Sequence, residues 1–309
     1  MRRTWIGSGF IVGLVLLSSC DDFEGFDRAK EDFHYSYSLQ PGGRLEIENT
    51  NGAIEITGWD RNTLDVSGTK YAGSNERLRD IQIKVEVNGN NASIRTETPK
   101  DFLHGGFGAH YIIRVPRQIA LARAHTTNGS FSIEDLEGGG HVTSTNGRIS
   151  LARDSGDYEV NTTNGAIDVE ECSGIERAAT TNGGVRGRIR EGAIEAKSTN
   201  GGIDFTIVRP QEDKPVRLTT TNGGITLALA EFHGNPITAE TTHGGVTLRL
   251  PSNTNAQIEA RNSFASISTD LPLSATGQIS KHELKGRLGN GGPVISASST
   301  SGSIRIEKY

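Results

Sequence analysis

Short runs of alternating apolar and polar residues fill most of this chain, and they recur at a fixed interval. Thr-Asn-Gly occurs with its asparagine at 51, 128, 146, 164, 182, 200 and 222, so the steps from 128 onward are 18, 18, 18, 18 and 22 residues. His243-Gly244 extends the series after 21 residues, Asn262 after 19, and Ser301-Gly302 after 39, a gap read as two repeats. The 77 residues between Asn51 and Asn128 are read as four. Three and five residues after the turn stand apolar pairs such as Ile54/Ile56, Phe131/Ile133, Ile149/Leu151, Ile203/Phe205 and Ile304/Ile306. Four residues before it stand Ile47, Val142, Val160, Leu218 and Ile258, or the smaller Ala178, Ala196, Ala239 and Ala297. A period of two on both sides of a turn predicts two short strands per repeat, each with one buried face. Asn-Gly supplies the turn because both residues tolerate positive φ.

A row of β-hairpins would not hold one register, nor return the same residue to the same slot every 18 residues. A solenoid does, because each coil rests on the last. The pattern therefore predicts an all-β chain folded as a parallel β-solenoid of 18–22 residues per coil, right-handed by the crossover rule. Coils about 4.8 Å apart would stack Asn128, Asn146, Asn164, Asn182, Asn200 and Asn222 into a ladder of amide hydrogen bonds. Thr127, Thr145, Thr163 and their equivalents would form a second, outward file. A hexapeptide helix needs an aliphatic residue every sixth position, whereas Ser155 and Asn161 follow Ile149 at those intervals. No calcium-binding nonapeptide occurs either. Residues 34–127 alternate with looser turns and read as irregular coils of the same domain, with 128–309 as the regular part. The whole would be roughly fourteen coils, about 65–70 Å long. Gly187 falls where other coils carry Val, Phe or Leu and reads as a soft point.

Composition bounds the rest. With 34% hydrophobic residues and 39 glycines in 309, the chain has shifted from bulk toward backbone. That excludes a coiled coil or a thick Leu/Phe core. Arg2 and Arg3 precede an apolar run from Trp5 to Leu17, shorter than the ~20 residues of a membrane span. Leu17-Ser18-Ser19-Cys20 resembles the bacterial lipobox. Residues 1–19 then read as a signal peptide, Cys20 as the lipidated residue, and 20–33 as an acidic tether, which places the protein in the bacterial cell envelope. Without Arg2 and Arg3 there are 32 − 2 = 30 bases against 37 acids, a net charge of −7. Such a surface repels nucleic acid and anionic headgroups, so membrane attachment falls to the lipid. Cys172 is left without a disulfide partner.

Outward positions offer little chemistry. Asp168, Arg186 and Asp204 would stack on neighbouring coils, as would Glu170 and Arg188. An acid alternating with a base relieves repulsion within a file, which is a structural role. His104, His110, His125 and His141 lack a third ligand at matching spacing, and His243 fills a turn slot, so no metal or cofactor is expected. Three longer segments are candidate binding loops: 99–110 with Phe102 and Phe107 exposed, 208–215 with Gln211, and 230–236 with Phe232. The last two fall on adjacent coils, opposite the Asn-Gly edge.

Tyr111-Ile112-Ile113-Arg114-Val115-Pro116, the Thr-Asn-Gly repeats and the closing Ser299-Thr300-Ser301-Gly302-Ser303-Ile304-Arg305-Ile306 are similar to the bacterial putative-adhesin family of β-strand repeats. The resemblance covers residues 40–309. It implies a solenoid in the envelope and supplies no catalytic residues. The expectation is a non-enzymatic envelope lipoprotein presenting an elongated surface to protein or polysaccharide. The alternatives are a polysaccharide-active β-helix enzyme and a structural protein that self-associates through uncapped solenoid ends.

Overall fold

A computed structural model describes residues 29–98, 106–275 and 280–309. About two-thirds of it is strand, joined into one mostly parallel sheet system, with a single short helix, Asn75–Arg79, among the described residues. Each regular rung has a strand before the turn and a strand after it, here termed leading and trailing. Equivalent inward residues pile directly over one another. On the trailing side Phe131, Ile149, Ile167, Val185, Ile203, Ile225 and Val246 follow in register. On the leading side Val142, Val160, Ala178, Ala196, Leu218 and Ala239 do the same. All of these are buried. The core is a narrow strip in which each side chain packs chiefly on its own counterparts above and below.

Both ends depart from chain order, and this corrects the sequence reading. Arg44–Asn51 pairs directly with Ala120–Asn128, with Asn51 beside Asn128, so the 77-residue interval is one step of the stack and not four. The intervening residues form the end of the solenoid instead of irregular coils. Asn91–Glu97 and Gly108–Pro116 lie on the far side of the 44–59 rung. Beyond them, strands Gln82–Asn88, Thr63–Ala72 and Ala29–Ser38 run antiparallel. The described strand structure thus starts at Ala29, inside the segment expected to be a tether through residue 33. The two acids described there are held, Glu31 by Lys70 at 3.3 Å and Asp32 by the Thr69 hydroxyl at 2.6 Å.

The other end mirrors this. Val294–Ser299 and Ile304–Lys308 insert between the rung at 237–250 and the rung at 256–269, pairing in parallel with both. Glu283–Leu288 then closes the leading sheet antiparallel to Ala256–Asn262. Antiparallel strands thereby cap the first end and the leading sheet of the second, unlike the open ends considered from sequence. Register also moves the last turn. Ala260 sits beside Ala297, so the turn slot of that rung is Phe264 and not Asn262. Asn262 lies two residues earlier and is buried, whereas Phe264 is 79% exposed.

That slot, two residues before the turn, carries a second ladder. Ser144, Thr162, Thr180, Ser198, Thr220, Thr241 and Ser299 are buried there. Each hydroxyl donates at 2.8–2.9 Å to the turn-glycine carbonyl of the rung before it, Thr162 to Gly147 for example. At the ends, Asn262 reaches Gly302 and Asn49 reaches Ala109 by the longer amide arm. The turn glycines are required by close approach. A Cβ on Gly165 would lie 2.0 Å from the carbonyl oxygen of Gly147. Gly187 is constrained likewise, since its Cβ would stand 2.1 Å from the Val169 carbonyl oxygen. The backbone itself fills the place of the missing side chain, so the expected soft point is tightly packed.

Candidate functional site

Along the turn edge, each asparagine amide donates to the side-chain oxygen of the one before it. The pairs run from Asn128 to Asn51, then through Asn146, Asn164, Asn182, Asn200 and Asn222, at 2.7–2.8 Å. Every interior amide both donates and accepts along the file, so the exposed edge is a self-satisfied hydrogen-bond chain. His243 follows Asn222 in register.

On the trailing face Arg186 stands between Asp168 and Asp204. Its Nε donates to Asp168 at 2.6 Å, and Arg148 reaches the other Asp168 oxygen at 3.3 Å. Arg188 lies beside Glu170 in register but bonds Glu171 at 2.8 Å. Arg153 holds Glu134 and Asp135 at 3.0 Å each, which keeps the Asp135 carboxyl below the usual carboxylate range. Glu134, Arg148, Asp168, Glu171, Arg186 and Arg188 rim a shallow groove of about 650 Å³, floored in part by Ser132, Ser150 and Ala152. Arginines thus engage Asp168, Glu171, Glu134 and Asp135, whereas Glu170 and Asp204 make no ion pair among the described residues. Among the described residues no group of three His, Cys, Asp or Glu side chains is placed to hold a metal.

The corner opposite the asparagines carries the two longer loops, joined by one side chain. Asn235, fully buried in the 230–236 loop, donates its amide to the carbonyls of Gln211 at 2.6 Å and Lys214 at 2.9 Å. Phe232 turns inward and packs against the main core. Gln211 remains exposed and overlooks a cleft of about 490 Å³ that runs from the loop to the preceding leading strands. Phe107, expected on the surface, is only 8% exposed because it packs with Ala72, Leu78 and Ile81 in a small second core. Phe102 and Cys20 lie outside the described residues.

One polar cluster was not foreseen. After each of three trailing strands a residue with φ of 52–60° (Asp135, Arg153 and Glu171) turns the chain inward. The next residues, Leu136, Asp154 and Cys172, then point into the core and are fully buried. Asp154 accepts the backbone N–H groups of Leu136 at 2.8 Å and Ala152 at 3.1 Å. Burial nevertheless pushes its carboxyl up to about 7. Burial likewise raises the Cys172 thiol to about 11, which makes it inert. The buried Tyr158 hydroxyl has no hydrogen-bond partner among the described residues. The signal in sequence was an acid eight residues past the turn, where its neighbours carry Leu and Cys.

One family model, Toastrack DUF4097, matches residues 43–307, the span that holds the stacked rungs. The chain belongs to this family. Similar solved structures include a putative cell adhesion protein from Clostridium sporogenes (12% identity, 90% of this chain and 100% of that one, TM-score 0.26). A putative adhesin from Bacteroides fragilis (12% identity, 91% and 98%, TM-score 0.36) is also similar. A third is a putative lipid binding protein from Parabacteroides distasonis (13% identity, 89% and 96%, TM-score 0.39). No curated protein matches the sequence. Among the described residues of this Toastrack chain, no helix is long and apolar enough to cross a membrane.

Proposed function

We propose that this Toastrack protein is a non-enzymatic lipoprotein of the bacterial envelope, held to a membrane through Cys20. Its right-handed solenoid of 18–22-residue coils serves as a rigid, elongated surface for protein or polysaccharide. The observation that carries this reading is the state of the charges on the trailing face. Arg148 and Arg186 share Asp168, Arg188 takes Glu171, and Arg153 takes Glu134 and Asp135. Charges neutralised within the stack rigidify a surface and leave none of these carboxylates poised for acid–base work. The test uses the full-length protein in detergent, on glycan arrays and in pull-downs from envelope fractions. Selective capture of a polysaccharide or an envelope protein supports the proposal. Clean negatives from both refute it.

A further inference from the structure

The cleft below the 208–215 loop is bordered by charges of opposite sign at its two ends. Four charged side chains border it without an ion pair among the described residues: Asp157 and Glu176 at one end, Lys214 and Arg217 at the other. Glu195, between them, is bonded by Lys197 and also feels the charges of Arg177 and Arg217. The floor is apolar and low, formed by Gly174, Ala193 and Ile194. The wall bearing Lys214 is held at its backbone by buried Asn235, so the basic end is preset in position.

Register gives the separation of the two ends. Arg177, next to Glu176, stands beside Glu195, and Glu195 stands beside Arg217. Two rung spacings are about 10 Å, and an extended peptide advances about 3.3 Å per residue, so three to four residues span the gap. We infer that this cleft binds a short extended peptide with free ends, its ammonium toward Asp157 and Glu176 and its carboxylate toward Lys214 and Arg217. Small side chains suit the low floor, and the Gln211 amide can both donate to and accept from a peptide group. A neutral glycan fits less well, because the lining offers no aromatic ring and its charges are segregated by sign. The inference rests on the binding-surface reading above and gives that surface one site and one ligand class.

Calorimetric titration of the full-length protein in detergent with tetra-alanine at low salt tests it. Saturable binding is expected, weakening as salt screens the two ends. Asp157→Asn with Glu176→Gln, and separately Lys214→Gln with Arg217→Gln, should each weaken binding about tenfold or more. All four side chains are exposed, so unchanged thermal melting will show that both variants fold. Tetra-alanine acetylated and amidated at its ends should not bind. No saturable heat with free tetra-alanine, equal binding of the blocked peptide, or unaltered affinity in both variants would each overturn the inference. A protein that ignores tetra-alanine yet captures an envelope polymer loses this site and keeps the broader function; one that captures nothing loses both.

Discussion

Asp154 makes the stability of the solenoid depend on pH in a direction opposite to that of its surface carboxylates. It is fully buried between Leu136 and Cys172, with Glu134, Asp135 and Tyr158 as the other titratable groups around it. Burial is the chief cause of its raised value; the Leu136 and Ala152 N–H groups favour the carboxylate, and Glu134 and Asp135 disfavour it. A rise from 3.8 to about 7 is roughly three units, or about 4 kcal/mol at 1.36 kcal/mol per unit. The sign follows from proton counting. Between pH 4 and 7 the folded chain holds a proton that the unfolded chain releases. Stability from this group is therefore full below about pH 4, falls as pH rises, and is lost above about 7. The lowered values of Asp135, Glu195 and Glu231 act the other way, so the test is a difference. Asp154→Asn keeps an acceptor for Leu136 N–H but abandons Ala152 N–H, costing about 1 kcal/mol. Denaturant unfolding should find this variant about 1 kcal/mol less stable than the parent at pH 4 and about 3 kcal/mol more stable at pH 8. A difference constant to within about 0.5 kcal/mol across that range would refute the assignment of a buried, proton-holding carboxyl.

Three further outcomes follow from the packing. Thr162→Val removes the donor to the Gly147 carbonyl at nearly constant volume and should cost about 1–3 kcal/mol in chemical denaturation, while the outward control Thr163→Val should change stability by less than about 0.5. Gly187→Val, which composition alone would recommend as filling a gap, should destabilise by about 1–3 kcal/mol or more, since its Cβ collides with the Val169 carbonyl; a rise in melting temperature would show that the backbone yields there. Deleting residues 294–309 removes an interior rung, so hydrogen exchange should show lost protection through 256–288 and along 237–250. Loss confined to 283–288 would contradict the intercalated topology.

The regular middle of the molecule was legible because the same residue returns every 18 positions, and stacked strands convert that recurrence directly into contacts. The asparagine file and the apolar columns needed nothing more than period two and a fixed interval. The buried Thr/Ser ladder was visible as a recurring hydroxyl two residues before the turn, but composition could not show that it faces inward. The carbonyl of the turn glycine on the previous rung explains why the slot tolerates a hydroxyl in an apolar strip from Ser144 onward, and Asn49 and Asn262 make the corresponding contact at the ends.

The ends were illegible for a different reason. Periodicity reports which residues can lie beside one another; it does not state the order in which the chain visits them. Asn51 can stack on Asn128 whatever separates them in sequence, and Ser301 can lie on the His243 rung while 256–269 is pushed outward. Counting residues therefore turned one step into four. The threaded arrangement has a physical merit that sequential winding lacks. In a sequentially wound stack the first and last coils are each held on one side only. Here the 44–59 rung and the 294–308 rung are each clasped on both sides, and antiparallel strands take the outermost places at the first end and on the leading sheet of the second. A solenoid closed in this way resists fraying from its termini, and the weak places of the stack move inward, to the rung where Asp154 interrupts the apolar column.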